Sequence, residues 1–262
     1  MSPNIQFIRN ATAVLNYAGK RILIDPFFAE KGRYPGFPGS ANSHLSNPLV
    51  EMPVKPESLI DVDAVLVSHL HPDHWDEVAV QVLPKDIKVM AQNEDDANVI
   101  KSQGFTNVEA LGESANIEGL NLKKTHCQHG TDVAYSIPAL AEALGKASGF
   151  YFNAEGEKSI YFLGDTIWID EVEDNLKNWR PDVVVVNAGF ASFEDEGLGA
   201  IIMGKEDILK ISKLLPNATI IAMHMEAVNH SILSRKELRE FVAENGIQDR
   251  VIIPEDGELI TL

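Results

Sequence analysis

Three histidines and an aspartate lie within six residues in the first third of the sequence, and this spacing predicts a metal site. Residues 68–76 read SHLHPDHWD and directly follow the apolar run Ala64–Val67, which we predict to be a buried strand. In an extended chain, residues two positions apart face the same side, so His69 and His71 can bind one ion together. The proline that follows turns the chain, so the aspartate and the third histidine, Asp73 and His74, can reach a neighbouring position.

The donor types of this segment narrow the choice of metal. Imidazole nitrogens with a few carboxylates favour zinc, manganese or iron and disfavour calcium. Three solvated histidines in a loop are the alternative interpretation. The tight spacing disfavours that alternative, because neutral imidazole is the commonest metal ligand.

Further histidines and an aspartate follow other apolar runs of the chain. They are His126 and His129 after Leu120–Thr125, Asp165 after Ser159–Leu163, and His224 after Ile220–Met223. A carboxylate can bridge two cations and reduce their mutual repulsion, which is the role that Asp165 would have in a two-metal site. An ordinary turn aspartate is the alternative interpretation of this residue.

The elements that must position these residues are β-rich at first and alternate between strands and helices later. We predict strands at Ile5–Ile8, Ala13–Tyr17, Arg21–Asp25, Ala64–Val67, Lys88–Ala91, Leu120–Thr125, Phe150–Asn153, Ser159–Leu163, Val183–Val186 and Ile220–Met223. We predict helices at Lys205–Leu215 and from the capping box Ser234–Glu237 to a stop at Gly246. An α/β (α+β) fold follows, with two sheets between outer helices, in one domain spanning residues 1–262.

A long irregular insertion separates the opening strands from the histidine cluster. It runs from about residue 28 to 57 and holds five prolines and three glycines. A loop of that length in a compact domain is usually functional or mobile. We expect it either to cover the site and select the substrate through Tyr34, Phe37 and His44, or to form a contact between subunits.

Composition and charge exclude several classes of function. The 39 acidic residues outnumber the 22 basic ones, for a net charge of −17, which disfavours binding to nucleic acid and to anionic membranes. The single cysteine, Cys127, excludes an intramolecular disulfide. Without a signal-peptide pattern or a long apolar run, we predict a cytoplasmic protein with a small-molecule substrate. A homo-oligomer remains an open alternative to a monomer.

The order of these motifs resembles the metallo-β-lactamase superfamily of binuclear metallohydrolases. The chain is most similar to the branch of predicted metal-dependent hydrolases that resemble L-ascorbate-6-phosphate lactonase. Beyond the histidine motif, the similarity is carried by Asn10-Ala11, Leu23–Pro26, Gln128–Gly130, Pro181–Ala188 and His224–His230. These segments span nearly the whole chain.

This resemblance implies the four-layer αβ/βα sandwich of the superfamily and a specific set of ligands. His69 and His71 bind the first metal with a third histidine from residues 125–130, which is His129, with His126 as second choice. Asp73, His74 and His224 bind the second metal, and Asp165 bridges the two. Cys127 is a possible soft ligand, but a small buried filler is the favoured role.

The function implied is hydrolysis by a hydroxide that bridges two divalent metal ions, zinc or manganese, with iron as a further candidate. The substrate would be a small ester, lactone or phosphodiester, and Asp73 would orient the water and accept its proton. Asn187 and His230 are predicted either to contact the substrate or to make structural hydrogen bonds.

Two other functions compete with hydrolysis. The alternative is a mononuclear iron oxygenase on the same scaffold. His71 weighs against a redox diiron role, because the oxygen-reducing members of the superfamily carry a carboxylate at that position. A non-catalytic metal-stabilised scaffold is disfavoured, because the set of ligands is complete.

Overall fold

Two seven-stranded β-sheets form the centre of the computed structural model, which describes residues 3–117 and 119–262. The first sheet consists of β1 (Asn4–Arg9), β2 (Thr12–Tyr17), β3 (Lys20–Ile24), β4 (Ala64–Val67), β5 (Val89–Ala91), β6 (Val108–Ala110) and β14 (Leu259–Thr261). Its order is β14-β1-β2-β3-β4-β5-β6. Strands β3 to β6 are parallel, and β2 is antiparallel to both of its neighbours.

The second sheet repeats this mixed arrangement. It consists of β7 (Ser114–Ile117), β8 (Leu120–Cys127), β9 (Ala147–Asn153), β10 (Ile160–Phe162), β11 (Val183–Asn187), β12 (Thr219–Met223) and β13 (Val251–Ile252). Its order is β13-β12-β11-β10-β9-β8-β7, and β10 to β13 are parallel. The predicted strands at Phe150–Asn153 and Ser159–Leu163 lie within or overlap β9 and β10, which pair antiparallel as a hairpin around Glu155-Gly156.

Seven helices accompany the two sheets in the described residues, and five of them lie on the outer faces of the sheets. The seven helices are α1 (Glu77–Val82), α2 (Glu94–Ser102), α3 (Asp132–Tyr135), α4 (Pro138–Leu144), α5 (Asp170–Trp179), α6 (Lys205–Leu214) and α7 (Arg235–Glu244). Short 3-10 turns lie at Pro56–Leu59 and Glu196–Leu198. None of the helices in the part of the chain that the structure describes has the length and apolar character needed to cross a membrane.

The core has three apolar layers, which explains why the sheets face each other. Between the sheets, Phe7 and Leu15 of the first sheet pack in one buried cluster with Phe150 and Phe152 of the second. A second cluster joins the outer face of the second sheet to α5, α6 and α7, and a third joins the first sheet to α1 and α2. The predicted αβ/βα sandwich is therefore confirmed.

Strands β11 and β12 are continuous apolar runs because both of their faces are covered. Every residue of β11 is buried. Their carboxyl ends lie at the same edge as those of β10 and β8, since β8 is antiparallel to β9 and β9 to β10. The carboxyl ends of β1, β3 and β4 likewise share one edge of the first sheet.

The helix prediction near the carboxyl terminus is confirmed at both ends. The Ser234 hydroxyl caps α7 by accepting from the Glu237 amide at 3.1 Å. Gly246 follows the helix with φ of +66°, a conformation that suits glycine. Helices α1 to α5 and strands β6, β7, β13 and β14 were not predicted. Most of these elements are short, so hydrophobic periodicity gives little signal.

The insertion is held to the first sheet by buried polar contacts. The Arg9 guanidinium is fully buried and donates to the carbonyl oxygens of Phe27 and Ala29, each at 2.9 Å, and of Val50 at 3.0 Å. The Asp76 carboxylate accepts from the amides of Phe28 and Ala29 at 3.1 and 2.8 Å. Burial keeps these hydrogen bonds from exchanging with water, so the start of the insertion is fixed.

Candidate metal centre

Seven side chains meet where the carboxyl ends of the strands of both sheets come together. They are His69 and His71 after β4, Asp73 and His74 in the turn that follows, His129 after β8, Asp165 after β10, and His224 after β12. These are the seven residues that the sequence predicts as metal ligands.

Three groups of these residues have ligand atoms within 4.8 Å of one another, counted over the residues that the structure describes. The groups are His69, His71 and His129; His69, His74 and Asp165; and Asp73, His74 and His224. The first and third groups match the two sets of ligands implied by the resemblance. The second group joins them, because it shares one histidine with each.

Each histidine of the first group has one ring nitrogen held, which leaves the other free to bind a metal. His71 Nε2 donates to the carbonyl oxygen of Ala143 at 2.9 Å. His129 Nδ1 donates to the carbonyl oxygen of Ile201 at 2.9 Å. The remaining nitrogens, His71 Nδ1 and His129 Nε2, face each other at 3.2 Å.

His69 Nε2 is a buried nitrogen without a hydrogen-bond partner. Its other nitrogen, Nδ1, lies 3.0 Å from the Ser68 hydroxyl. That hydroxyl donates its own proton to Asp25 Oδ2 at 2.6 Å, so it accepts from His69 Nδ1. A buried unpaired acceptor is costly, and a bound cation would satisfy it. On this observation the residues fit a metal ion.

Asp25 orients histidines of both groups, a role that was not predicted from the sequence. Its carboxylate accepts from the Ser68 amide at 2.7 Å and from His74 Nδ1 at 2.8 Å. It therefore fixes His74 directly and His69 through the serine. The signal in the sequence was its place in Leu23–Pro26, directly after an apolar strand.

The two oxygens of Asp165 have different surroundings. Oδ1 accepts a hydrogen bond from Asn187 Nδ2 at 2.6 Å. Oδ2 lies 3.1 Å from His74 Nε2 and 3.6 Å from His129 Nε2. This oxygen therefore faces histidines of both metal groups, as a bridging ligand requires. Of the two roles predicted for Asn187, the structure shows the hydrogen bond.

Asp73 faces the other side of the same cluster. Its Oδ2 lies 3.3 Å from His224 Nε2. The buried side chain of Asn10 donates to this oxygen at 3.2 Å and to the Asp73 carbonyl at 3.0 Å. Asn10 therefore fixes Asp73, a role that the sequence did not predict despite the Asn10-Ala11 match.

The buried charges of the cluster are not balanced by the protein alone. Burial opposes ionisation of Asp73 and Asp165, but neighbouring histidines outweigh it and hold both pKa values well below the ordinary value. Burial lowers the pKa of His129 to about 4 and that of His69 well below its usual value. Two ionised carboxylates therefore lie near His69 and His129, whose imidazoles stay neutral and able to bind cations.

His74 is the exception among these histidines. Burial by itself would lower the pKa of His74, but the carboxylates of Asp165, Asp25 and Asp73 outweigh it and raise the pKa well above its usual value. A proton on His74 therefore supplies part of the positive charge that a metal would otherwise provide.

A cavity of about 230 Å³ opens over the cluster. Its polar lining comes from His71, Asp73, His129, Asp165, Ser40 and His230. Its apolar lining comes from Phe37, Pro38, Pro72, Leu140, Ala143, Leu144, Phe193 and Ile201. No lysine or arginine is among these lining residues. The buried ring of His230 stands edge-on to Phe37, with 4.8 Å between ring centroids, and burial lowers its pKa to about 4.

Other candidate residues lie away from the cluster. The side chain of His126 is exposed and lines a separate polar groove with Lys123 and Lys146. The buried Cys127 thiol donates to the carbonyl oxygen of Leu163 at 3.1 Å, in keeping with a filler role. Within the insertion, Phe37 reaches the cavity, whereas His44 is exposed.

The fold and the site together define a member of the metallo-β-lactamase superfamily, and comparison with known proteins agrees. A sequence profile described as the beta-lactamase superfamily domain matches residues 20–225. The chain belongs to this superfamily. The specific similarity to L-ascorbate-6-phosphate lactonase stays a prediction.

Individual relatives extend over the full chain. The UPF0173 protein YddR of Bacillus subtilis is 47% identical, covering 98% of this chain and 99% of the relative. The crystal structure of an isothiocyanate hydrolase from Delia radicum gut bacteria is 48% identical with a TM-score of 0.96, covering 99% of both chains. A possible metal-dependent hydrolase from Veillonella parvula is 41% identical with a TM-score of 0.97, covering both chains completely.

Proposed function

We propose that the protein is a binuclear metallohydrolase that adds water to the central carbon of an isothiocyanate. The observation that carries this proposal is the cavity directly over the ligand cluster, whose wall is largely apolar and has no lysine or arginine. Such a pocket suits a small uncharged electrophile with an apolar substituent. The similarity to an isothiocyanate hydrolase over the full chain supports the choice of electrophile.

The residues that would hold two divalent cations are those of the three ligand groups. His69, His71 and His129 would hold the first ion, Asp73, His74 and His224 the second, and Asp165 would serve as a ligand between the two groups. Zinc or manganese, with iron as a further candidate, would supply a hydroxide near neutral pH and a Lewis acid.

The remaining side chains would orient the reactants. Asp73, fixed by Asn10, is placed to orient the attacking water and to accept its proton. His230 lines the cavity and has a buried Nδ1 without a partner, so we propose it as the contact to a substrate heteroatom. Asn187 would act through Asp165, to which its side chain donates a hydrogen bond.

The proposed reaction balances without an oxidant or reductant. The oxygen of water bonds to the carbon of R–N=C=S, one pair of the C=N bond moves to nitrogen, and a proton follows, giving a thiocarbamate. Cleavage of its remaining C–N bond, with a second proton moving to nitrogen, releases the amine R–NH₂ and carbonyl sulfide. One water is consumed.

Esters, lactones and phosphodiesters remain the competing substrates. A phosphodiester is the least suited, because no lysine or arginine lines the cavity to pair with its charge. The net charge of −17 likewise supports a neutral small molecule as the substrate in preference to a nucleic acid.

The test is a panel assay on protein loaded with zinc or manganese. We expect release of amine from an isothiocyanate at a far higher rate than hydrolysis of any lactone or phosphodiester, and two metal ions per chain. Preference for a lactone or a phosphodiester contradicts the substrate class. One iron per chain, in protein purified without added metal, favours the oxygenase alternative.

A further inference from the structure

The insertion over residues 28–57 supplies one wall of the cavity, and this wall is built into the fold. Phe37, Pro38 and Ser40 line the cavity beside the ligand cluster. We propose that Phe37, held in place by Asn229, is the residue that selects substrates by the size of their apolar substituent. This inference rests on the proposed function for the identity of the reacting group.

Asn229 fixes the segment that carries Phe37. It is buried, and its Oδ1 accepts from the Phe37 amide at 3.1 Å. Its Nδ2 donates to the Ser40 hydroxyl at 2.8 Å and to the Ala41 carbonyl at 2.7 Å. One side chain therefore holds both ends of residues 37–41.

The rest of the insertion reinforces the same contact. The Asn47 side chain donates to Asn229 Oδ1 at 2.7 Å and accepts from the Asn229 amide at 2.8 Å. Asn42 Nδ2 donates to the Asn229 carbonyl at 3.2 Å. The hydrogen-bonding groups of the Asn229 side chain and backbone are thus paired with groups of the insertion. A lid that opened to solvent would break these buried hydrogen bonds.

The loop that contains Ser192 holds the far end of the same segment, at Ala41. The amide of Ala41 donates to the carbonyl oxygen of Ser192 at 2.9 Å, and the amide of Ser192 donates to the carbonyl oxygen of His230 at 3.1 Å. Phe37 therefore stands against His230 in a frame of hydrogen bonds. A fixed aromatic wall discriminates between substituents, whereas a mobile loop would adapt to them.

Substrate placement follows from the lining. The reacting carbon must lie near His71, Asp73 and Asp165, where the metals would bind. The rest of a small substrate then lies against the apolar side chains of the lining, Phe37 among them. Loss of that ring removes apolar contact from a large substituent but very little from a methyl group.

The experiment compares benzyl and methyl isothiocyanate with the metal-loaded wild type, Phe37→Ala and Phe37→Leu. We expect Phe37→Ala to lower kcat/KM for the benzyl substrate by about 10- to 100-fold and for the methyl substrate by less than about 3-fold. Phe37→Leu should recover part of the loss. Asn229→Ala should raise KM for the benzyl substrate with two metal ions still bound.

Phe190→Ala is the matched control, since Phe190 is half-exposed and lines a different cavity. This variant should leave kcat/KM unchanged for both substrates. If Phe37→Ala lowers kcat/KM equally for both substrates, or for neither, the inference is wrong while the proposed function stands.

Binding without turnover separates the two proposals. If the wild type hydrolyses no isothiocyanate, the proposed function fails. The affinities of N-benzylthiourea and N-methylthiourea, measured by calorimetry, then still test whether Phe37 selects by size. A preference for the benzyl compound that Phe37→Ala abolishes supports the inference. A preference that persists in Phe37→Ala overturns it.

Discussion

At the scale of single residues, the site depends on which nitrogen of each histidine is held by the protein. His71 would bind through Nδ1, because its Nε2 donates to Ala143, whereas His129 would bind through Nε2. These choices preorganise the ligands before any metal arrives. They depend on backbone carbonyls far away in sequence, so the spacing of the histidines alone could not predict them.

His224→Ala is expected to reduce the metal content to about one ion per chain and to remove most of the activity. The second group would keep Asp73 and His74 but lose a third of its ligands. Metal analysis after dialysis measures the effect. His126→Ala is the control, because its exposed side chain lies outside the cluster. Full occupancy of two metals in His224→Ala would contradict the assignment.

Asp165→Asn is expected to weaken binding of both metals and to lower turnover by about 100-fold or more. The substitution keeps the size of the side chain but removes the negative charge that two nearby cations need. Metal titration and kinetics check this. Folding should suffer less, since Asp165 follows a strand at the sheet edge. A variant that binds two metals normally would leave a one-metal site and favour the oxygenase.

Acidification is expected to release metal from the His74 group before the His69, His71 and His129 group. The raised pKa of His74 means that a proton already competes with metal near neutral pH, so affinity there falls as the pH drops. The pKa of His129 is lowered to about 4, so protons compete at His129 only in more acidic solution.

Metal content after dialysis at a series of pH values measures this order. The His224→Ala variant assigns the ions, since its remaining metal should persist at the pH where the wild type falls from two ions to one. Loss of both ions in one step would count against the order.

At the scale of elements, the sequence predicted the strands that end in ligands and missed much of what supports them. The apolar runs before His69, Asp165 and His224 are long enough to identify strands β4, β10 and β12. The parallel order that brings their ends together came from the resemblance. Helix α4 was not predicted, although its Ala143 carbonyl holds His71. A seven-residue helix without an acidic or basic end gives too little signal.

Arg9→Leu is expected to destabilise the protein by about 2–4 kcal/mol, because buried carbonyl oxygens of the insertion would lose their donors. Burial lowers the pKa of Arg9 to about 10, so it remains charged at neutral pH. Urea unfolding measures the loss, and limited proteolysis within residues 28–57 should become faster. Arg33→Leu is the control, since Arg33 pairs with Glu30 at the surface. An unchanged free energy of unfolding in Arg9→Leu would mean that the insertion keeps its structure without the hydrogen bonds from Arg9.

At the scale of the whole molecule, two sheets are joined by an apolar layer and by a charged cluster at one edge. The apolar layer is built from apolar side chains of both sheets. The cluster carries buried carboxylates from both halves of the fold, Asp73 from the first sheet and Asp165 from the second. Bound metal would therefore also tie the sheets together, which sequence patterns within single elements could not reveal.

Removal of metal by a chelator is expected to lower Tm by several degrees while leaving the far-ultraviolet circular dichroism spectrum unchanged. A ligand that binds the folded state alone stabilises it by about 2.7 kcal/mol at 100 times its Kd. Thermal scans with and without chelator measure this, and added zinc should restore Tm. An unchanged Tm would show that the cluster tolerates its charge without cations.

Helix α4 carries a consequence for how such a protein can diverge. Its Ala143 carbonyl holds His71, and its Leu140 and Leu144 line the cavity. Because one turn of helix serves both, a substitution that shifts this turn would move the cavity wall and the imidazole of His71 together. Variation in this turn would therefore alter two properties at once, the shape of the cavity and the orientation of a candidate metal ligand.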